Sequence, residues 1–248
     1  MADDLRADDH SSPEHGAFHT TRWSVVLRAS ARESDEALRQ LCRDYWYPLY
    51  AFLRRRGLST HDAQDVTQAF FLRLIDGSLH MQASAERGRF RSYLLGALQN
   101  FLANEQRRAQ TQKRGGRETI VSIDELQAEQ RFALELADEL TPERQFERSW
   151  AVALLERVSV RLREDYEQAG RAALFEKLQP YIAGKTQLAG YGEIGRELAM
   201  SEGAVAVAIH RMRRRYGELL RDEIAQTVAS PEEVEEEIAY LLAVVARG

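Results

Sequence analysis

The residues best equipped for chemistry are His210, Arg211, Arg213, Arg214 and Arg215, which close the stretch YGEIGRELAMSEGAVAVAIHRMRRRYGELL at positions 191–220. Guanidinium groups at this density suit phosphate oxygens, which give a protein affinity and register on DNA but little sequence information. Just ahead of them lie Ser201, Glu202, Gly203, Ala204, Val205, Ala206, Val207 and Ala208. Small residues let a backbone come close to a groove, and methyl groups can touch thymine. They cannot form the two-pronged hydrogen bonds by which arginine reads guanine or glutamine reads adenine. The stretch therefore predicts docking on DNA through the arginine end, with sequence read weakly by shape and methyl contact.

Two helices joined by a tight turn must present these groups, with Ser201 as the N-cap of the second. Stepping about 100° per residue from Val205 gathers Val205, Ile209, Met212, Tyr216, Leu219 and Leu220 on a buried face. Gly203, Val207, His210, Arg211 and Arg214 then fall opposite, flanked by Ala204 and Ala206. The sequence also allows a plain helical hairpin with a solvated arginine face, or one used to dock a protein.

Upstream, Leu38, Leu41, Tyr45, Leu49, Phe52 and Leu53 recur at spacings of three and four, predicting a helix over 35–56 that Gly57 stops. Ser59, Thr60, His61 and Asp62 form a capping start. Behind it Ala63, Val66, Ala69, Phe70 and Leu74 make the inward stripe, leaving Asp62, Asp65, Gln68 and Arg73 outward. Further helices are predicted over 90–108, 142–167 and 170–182, with Thr141 and Pro142 as a cap and first-turn pair. A last helix starts at Ser230 and Pro231 and carries Val234, Ile238, Leu241, Leu242 and Val245 on one side, a face that needs a partner surface. No strand-like alternation of any length is present. Positions 1–18 read as a flexible polar tail.

The 248-residue chain has a formal charge of -5, 44% apolar residues and a single cysteine. The net charge conceals segregation. Positions 87–117 hold eight basic residues and one acidic residue, whereas 118–147 hold nine acidic and two basic ones. The stretch between these helices, 113–141, reads as an acidic linker with one short helix. Cys42 sits among apolar and aromatic residues and is expected to be a buried small hydrophobe. No apolar run is long enough for a membrane span, and the acidic start lacks the features of a secretory signal, so the expected compartment is the cytoplasm.

The stretch at 191–220 resembles the promoter-binding fourth-region domain of extracytoplasmic-function sigma factors, with its Tyr-x-Glu-Ile-Ala, Ser-x-Gly-x-Val and His-Arg-x-Arg pattern. LCRDYWYPLYAFLRRRGLSTHDAQDVTQAFFLRL is similar to the start of that family's second-region domain. FRSYLLGALQNFLANEQRR resembles the helix that contacts the minus-ten element. These segments cover about 110 of the 248 residues, in the family's order. The recognition helix departs from most members, which carry Thr, Lys, Ser and Arg where this chain has Ala204, Ala206, Val207 and Ala208. The stretch 146–190 is longer than a minimal member needs, and the last helix is an addition.

The resemblance implies a partner for each patch. Core RNA polymerase would meet Asp62, Gln64, Asp65, Gln68, Phe71 and Leu72 on an outward helix face. The minus-ten element would meet Arg89, Arg91, Tyr93, Gln99, Asn100, Asn104, Arg107 and Arg108, consistent with single-stranded DNA being held by cations and aromatic faces. Phe101 is expected in the core, and Tyr93 suits either use. The minus-thirty-five element would meet Ser201, Glu202, Ala204, Ala206, Val207, His210, Arg211, Arg213, Arg214 and Arg215. Positions 76–88 would form the loop that captures a flipped base, and the acidic linker would lie in a positively charged channel of the polymerase or in solvent. An anti-sigma protein is a further partner the family allows.

The architecture expected is all-α, with two helical domains joined by the acidic linker. A flexible tail (1–18) leads into a second-region-like domain (19–112), the linker (113–141), a helix-turn-helix domain (142–226) and a helical extension (227–248). No phosphate loop, His/Cys cluster or nucleophilic triad is apparent, so neither catalysis nor a metal or other cofactor is expected. A second reading is a DNA-binding regulator or adaptor that uses the helix pair for protein contacts without initiating transcription.

Overall fold

The computed structural model describes residues 35–76, 89–109, 125–135, 139–182 and 190–247. The tail at 1–18, the proposed base-capturing loop beyond Asp76 and the first part of the linker lie outside them, as does the side chain of Arg108. The described residues are all-helical, as expected, and form nine α-helices: α1 Asp35–Arg55, α2 Thr60–Ile75, α3 Phe90–Ala109, α4 Glu125–Glu135, α5 Pro142–Gln168, α6 Ala172–Leu178, α7 Tyr191–Glu197, α8 Glu202–Ala225 and α9 Val234–Ala246. Two single 3-10 turns, Gln179–Tyr181 and Pro231–Glu233, follow α6 and precede α9.

Local signals set the boundaries. Gly57 adopts φ 89°, a left-handed conformation that ends α1 at little steric cost. Ser59 Oγ accepts from Asp62 N at 3.1 Å and donates to its carboxylate at 2.7 Å, closing the start of α2. Thr141 accepts from Arg144 N at 3.3 Å, with Pro142 in the first helical position of α5.

The α1–α5 contact is the most extensive helix pairing among the described residues, and α5 also packs on α8 and α9. One hydrophobic cluster contains Leu41, Cys42, Tyr45, Leu49 and Phe52 of α1, Phe70 of α2, Phe90 and Leu98 of α3, Trp150 and Leu154 of α5, and Val205 and Ile209 of α8. Residues from the segments expected as two separate units thus share a core. Cys42 is fully buried, and loss of hydration pushes its thiol pKa up to about 12.

The inward arc of α2 is wider than its apolar stripe. Gln64 and Phe71, expected outward, are buried along with Ala63, Thr67, Phe70 and Leu74. The helix packs on both α1 and α3, and Phe70 touches Phe71 and Phe101 edge-on at 5.5 and 5.9 Å. Two neighbours cover more of the circumference than one stripe describes. In α9 the reverse holds: Val234 and Leu241 are buried, but Leu242 lies at the margin of the contact and is 46% exposed.

Candidate nucleic-acid interface

Helices α7 and α8 are joined by a turn that two backbone features hold tight. A Cβ on Gly195 would lie 2.6 Å from the Met200 carbonyl oxygen, and Met200 N donates to Gly195 O at 2.8 Å. Ala199 adopts φ 53°, which carries α7 into the start of α8. Ser201 then caps α8 by accepting from Ala204 N at 3.2 Å.

The buried face of α8 is made by Val205, Ile209, Met212, Leu219 and Leu220, with Tyr216 half-buried against the same cluster. The face opposite exposes Ser201, Glu202, Gly203, Val207, His210, Arg211 and Arg214, with Ala204 and Ala206 half-buried at its edges. Val207 is 49% exposed, high for an apolar residue.

The four arginines are not equivalent. Arg213 donates to the Tyr181 carbonyl through Nε at 3.0 Å and Nη2 at 2.7 Å, tying α8 to the turn after α6. Arg215 pairs with Asp165 of α5 at 2.7 Å, and that hydrogen bond raises its pKa further. Arg213 and Arg215, though exposed, are thus already engaged by neighbouring groups: they lie about 80° either side of Val205, close enough to the seam to reach neighbouring helices. Arg214 projects away and among the described residues pairs only with Glu218 one turn on, at 3.1 Å, while its side chain stays 77% exposed. Arg211 and His210 make no ion pair among the described residues. Protein-family models, curated proteins and solved structures give no match to this chain.

A second cationic region opens α3, and here the structure departs from expectation. Arg91 is only 4% exposed, and its Nε and Nη2 donate to the two oxygens of Glu237 at 2.9 and 3.2 Å. Arg89 pairs with Glu236 at 2.8 Å and Glu237 at 2.7 Å. Phe90 between them is fully buried and its amide donates to Thr227 O at 2.8 Å. Arg91 is thus not an open DNA contact in this arrangement, because the first turn of α3 lies against α9. Phe101 is buried as expected, and half-buried Tyr93 packs on Phe90 at 6.1 Å. Asn100, Asn104 and Arg107 are exposed further along α3, with Gln99 partly so.

On α2, Asp62 is exposed, while Asp65 is half-buried and lies 3.2 Å from His61 Nδ1. Gln68 and Leu72 are partly exposed. Gln64 and Phe71, lying inside, do not join this face.

The described part of the acidic linker is not a free strip. α4 docks on α1 by burying Ala128 and Phe132. Glu129 takes a forked contact from Arg54 at 3.2 and 2.7 Å and a short hydrogen bond from Tyr50. Those bonds, Arg54 first, hold its carboxyl below the usual glutamate range. Arg131 lies 4.2 Å over the Tyr47 ring and pairs with Glu135 at 3.3 Å and Glu156 at 3.4 Å.

Sequence reasoning did not foresee that Glu236, Glu237 and Tyr240 would meet Arg89 and Arg91. Its available signal was the carboxylate-rich PEEVEEE at the start of the last helix, whose partners lie 146 and 147 residues away.

Proposed function

We propose that this chain is a transcription initiation factor of the extracytoplasmic-function sigma type. It acts in the cytoplasm with core RNA polymerase and has no enzymatic activity of its own. In this reading α1–α3 form the second-region-like unit and α5–α8 the fourth-region-like unit, whose α7–α8 pair is a helix-turn-helix.

The single observation that carries the reading is the outward face of α8, where Val207, His210, Arg211 and Arg214 stand beyond a helix start of small residues. Such a face lets the backbone approach a groove while cations meet the flanking phosphates. It favours minus-thirty-five recognition by shape rather than by base-edge hydrogen bonds. Asn100, Asn104 and Arg107 on α3 would meet the opened minus-ten strand, and Asp62 with Gln68 would dock the polymerase. The exposed aspartate supplies charge for such docking, while Phe71 and Gln64 support the helix from within.

Pull-down with purified core polymerase, followed by transcription from a genomic DNA library, tests the proposal. The chain should be retained by the core enzyme, Asp62→Lys should weaken retention, and discrete transcripts should start only when the chain is present. Retention without transcripts would leave the adaptor reading instead. Absence of both would remove the initiation factor.

A further inference from the structure

The first turn of α3 is covered by groups that imitate what DNA would offer it. Arg89 and Arg91 give their guanidinium donors to Glu236 and Glu237 of α9 at 2.7 to 3.2 Å, and Glu147 of α5 lies 4.0 Å from Arg91. Tyr240 sits beneath both cations, its ring centre 4.5 Å from the Arg91 guanidinium and 5.6 Å from that of Arg89. Forked carboxylate contacts use the same planar donor geometry by which arginine takes a phosphodiester, and an aromatic face is what an unstacked base lies on or replaces. Glu237 is 1% and Arg91 4% exposed, so while α9 is seated the Arg91 donors are closed to phosphate, and those of Arg89, 26% exposed, are engaged by Glu236 and Glu237.

α9 is seated on α5 and α8. α9 buries Val234 and Leu241 and half-buries Ile238 and Val245, Leu242 faces outward, and a 3-10 turn at Pro231–Glu233 separates it from α8. Two glutamates directed at two arginines contribute a charge complementarity that DNA phosphates can replace without leaving either arginine uncompensated.

We propose that α9 is an intramolecular clamp whose Glu236 and Glu237 compete with promoter DNA for Arg89 and Arg91, so that the start of α3 engages DNA only when α9 lifts. This rests on the proposed initiation function and adds its control.

The test uses the full chain and a fluorescent duplex with an unpaired central bubble, with affinity followed by anisotropy across a salt series. E236Q/E237Q should bind about tenfold more tightly than wild type at low salt, with a salt slope steeper by about 1.4, the increment for neutralising two further phosphates on single strands. Adding R89A/R91A to that variant should abolish the gain. Should the double variant lose its fold by circular dichroism, E236Q alone, at an exposed position, must still bind more tightly than wild type. Saturating DNA should also lower the amide exchange protection of α9 in the wild-type chain. Equal affinity and slope in folded variant and wild type, with binding still weakened and its salt slope flattened by R211A/R214A, would overturn the clamp and leave the initiation reading standing. No DNA binding by any folded variant at low salt would overturn both.

Discussion

Tyr45 of α1 and Trp150 of α5 stack with ring centres 4.1 Å apart and planes 12° from parallel. Phe90 and Phe146 lean on the same indole at 6.1 and 5.8 Å, so three aromatic rings from α1, α3 and α5 close on one fully buried tryptophan. Next to this stack, Arg157 of α5 lies 4.9 Å over the Tyr45 ring and within 3.7 Å of Asp44 and 3.6 Å of Glu223, linking α1, α5 and α8.

Trp150→Ala should therefore destabilise the chain by about 3–5 kcal/mol, the usual cost of emptying an aromatic site in a core. Because the core is shared, urea unfolding followed by far-ultraviolet circular dichroism should show one transition moved to lower urea. A loss below about 1 kcal/mol, or a wild-type chain that unfolds in two separate steps, would show that α1 and α5 do not cooperate through this stack.

The α7–α8 turn makes opposite predictions at two small residues. Gly195→Ala places a methyl 2.6 Å from a backbone carbonyl and should cost about 1–3 kcal/mol, since backbone yields less readily than a side chain. Ala199→Gly removes a left-handed penalty of about 1–2 kcal/mol but loosens the unfolded chain, for a net gain of under about 1 kcal/mol. Thermal midpoints should fall for the first and rise for the second. The same direction in both would contradict the turn geometry.

Arg211 and Arg214 should carry the salt dependence of duplex binding. Replacing both with alanine should flatten the slope of log affinity against log salt by about 1.8, at about 0.9 for each phosphate no longer neutralised. Arg215→Ala should change it less, because Asp165 already neutralises that charge. A salt titration in which Arg215→Ala has the larger effect would place the phosphates on the other flank of α8.

Glu129 has a depressed pKa in the folded chain, so the stability it draws from Arg54 and Tyr50 is present above the ordinary glutamate range and disappears as pH falls through the lower folded value. A carboxyl-detected NMR titration should give Glu129 a midpoint below the usual value of about 4.3, returning towards it in Arg54→Met. An ordinary midpoint in the wild-type chain would mean that α4 is not held by this pair.

Much of the helical layout is legible in the sequence because caps and breakers act over three or four residues. Ser59, Thr141, Ser201 and Gly57 each do in the structure what their residue types predict, and the two faces of α8 follow from its period alone. The sequence also determines that this period puts His210, Arg211 and Arg214 on the side away from Val205. Only the tertiary structure decides which neighbours those faces meet. It turns Phe71 and Gln64 inward, ties Arg213 and Arg215 to the neighbouring carbonyl and carboxylate, docks the acidic α4 on α1, and brings Glu237 onto Arg91 across 146 residues. The reason is physical: helix period and capping are set by bonds within a few turns, whereas the partner of a charge is set by whichever distant helix packs beside it.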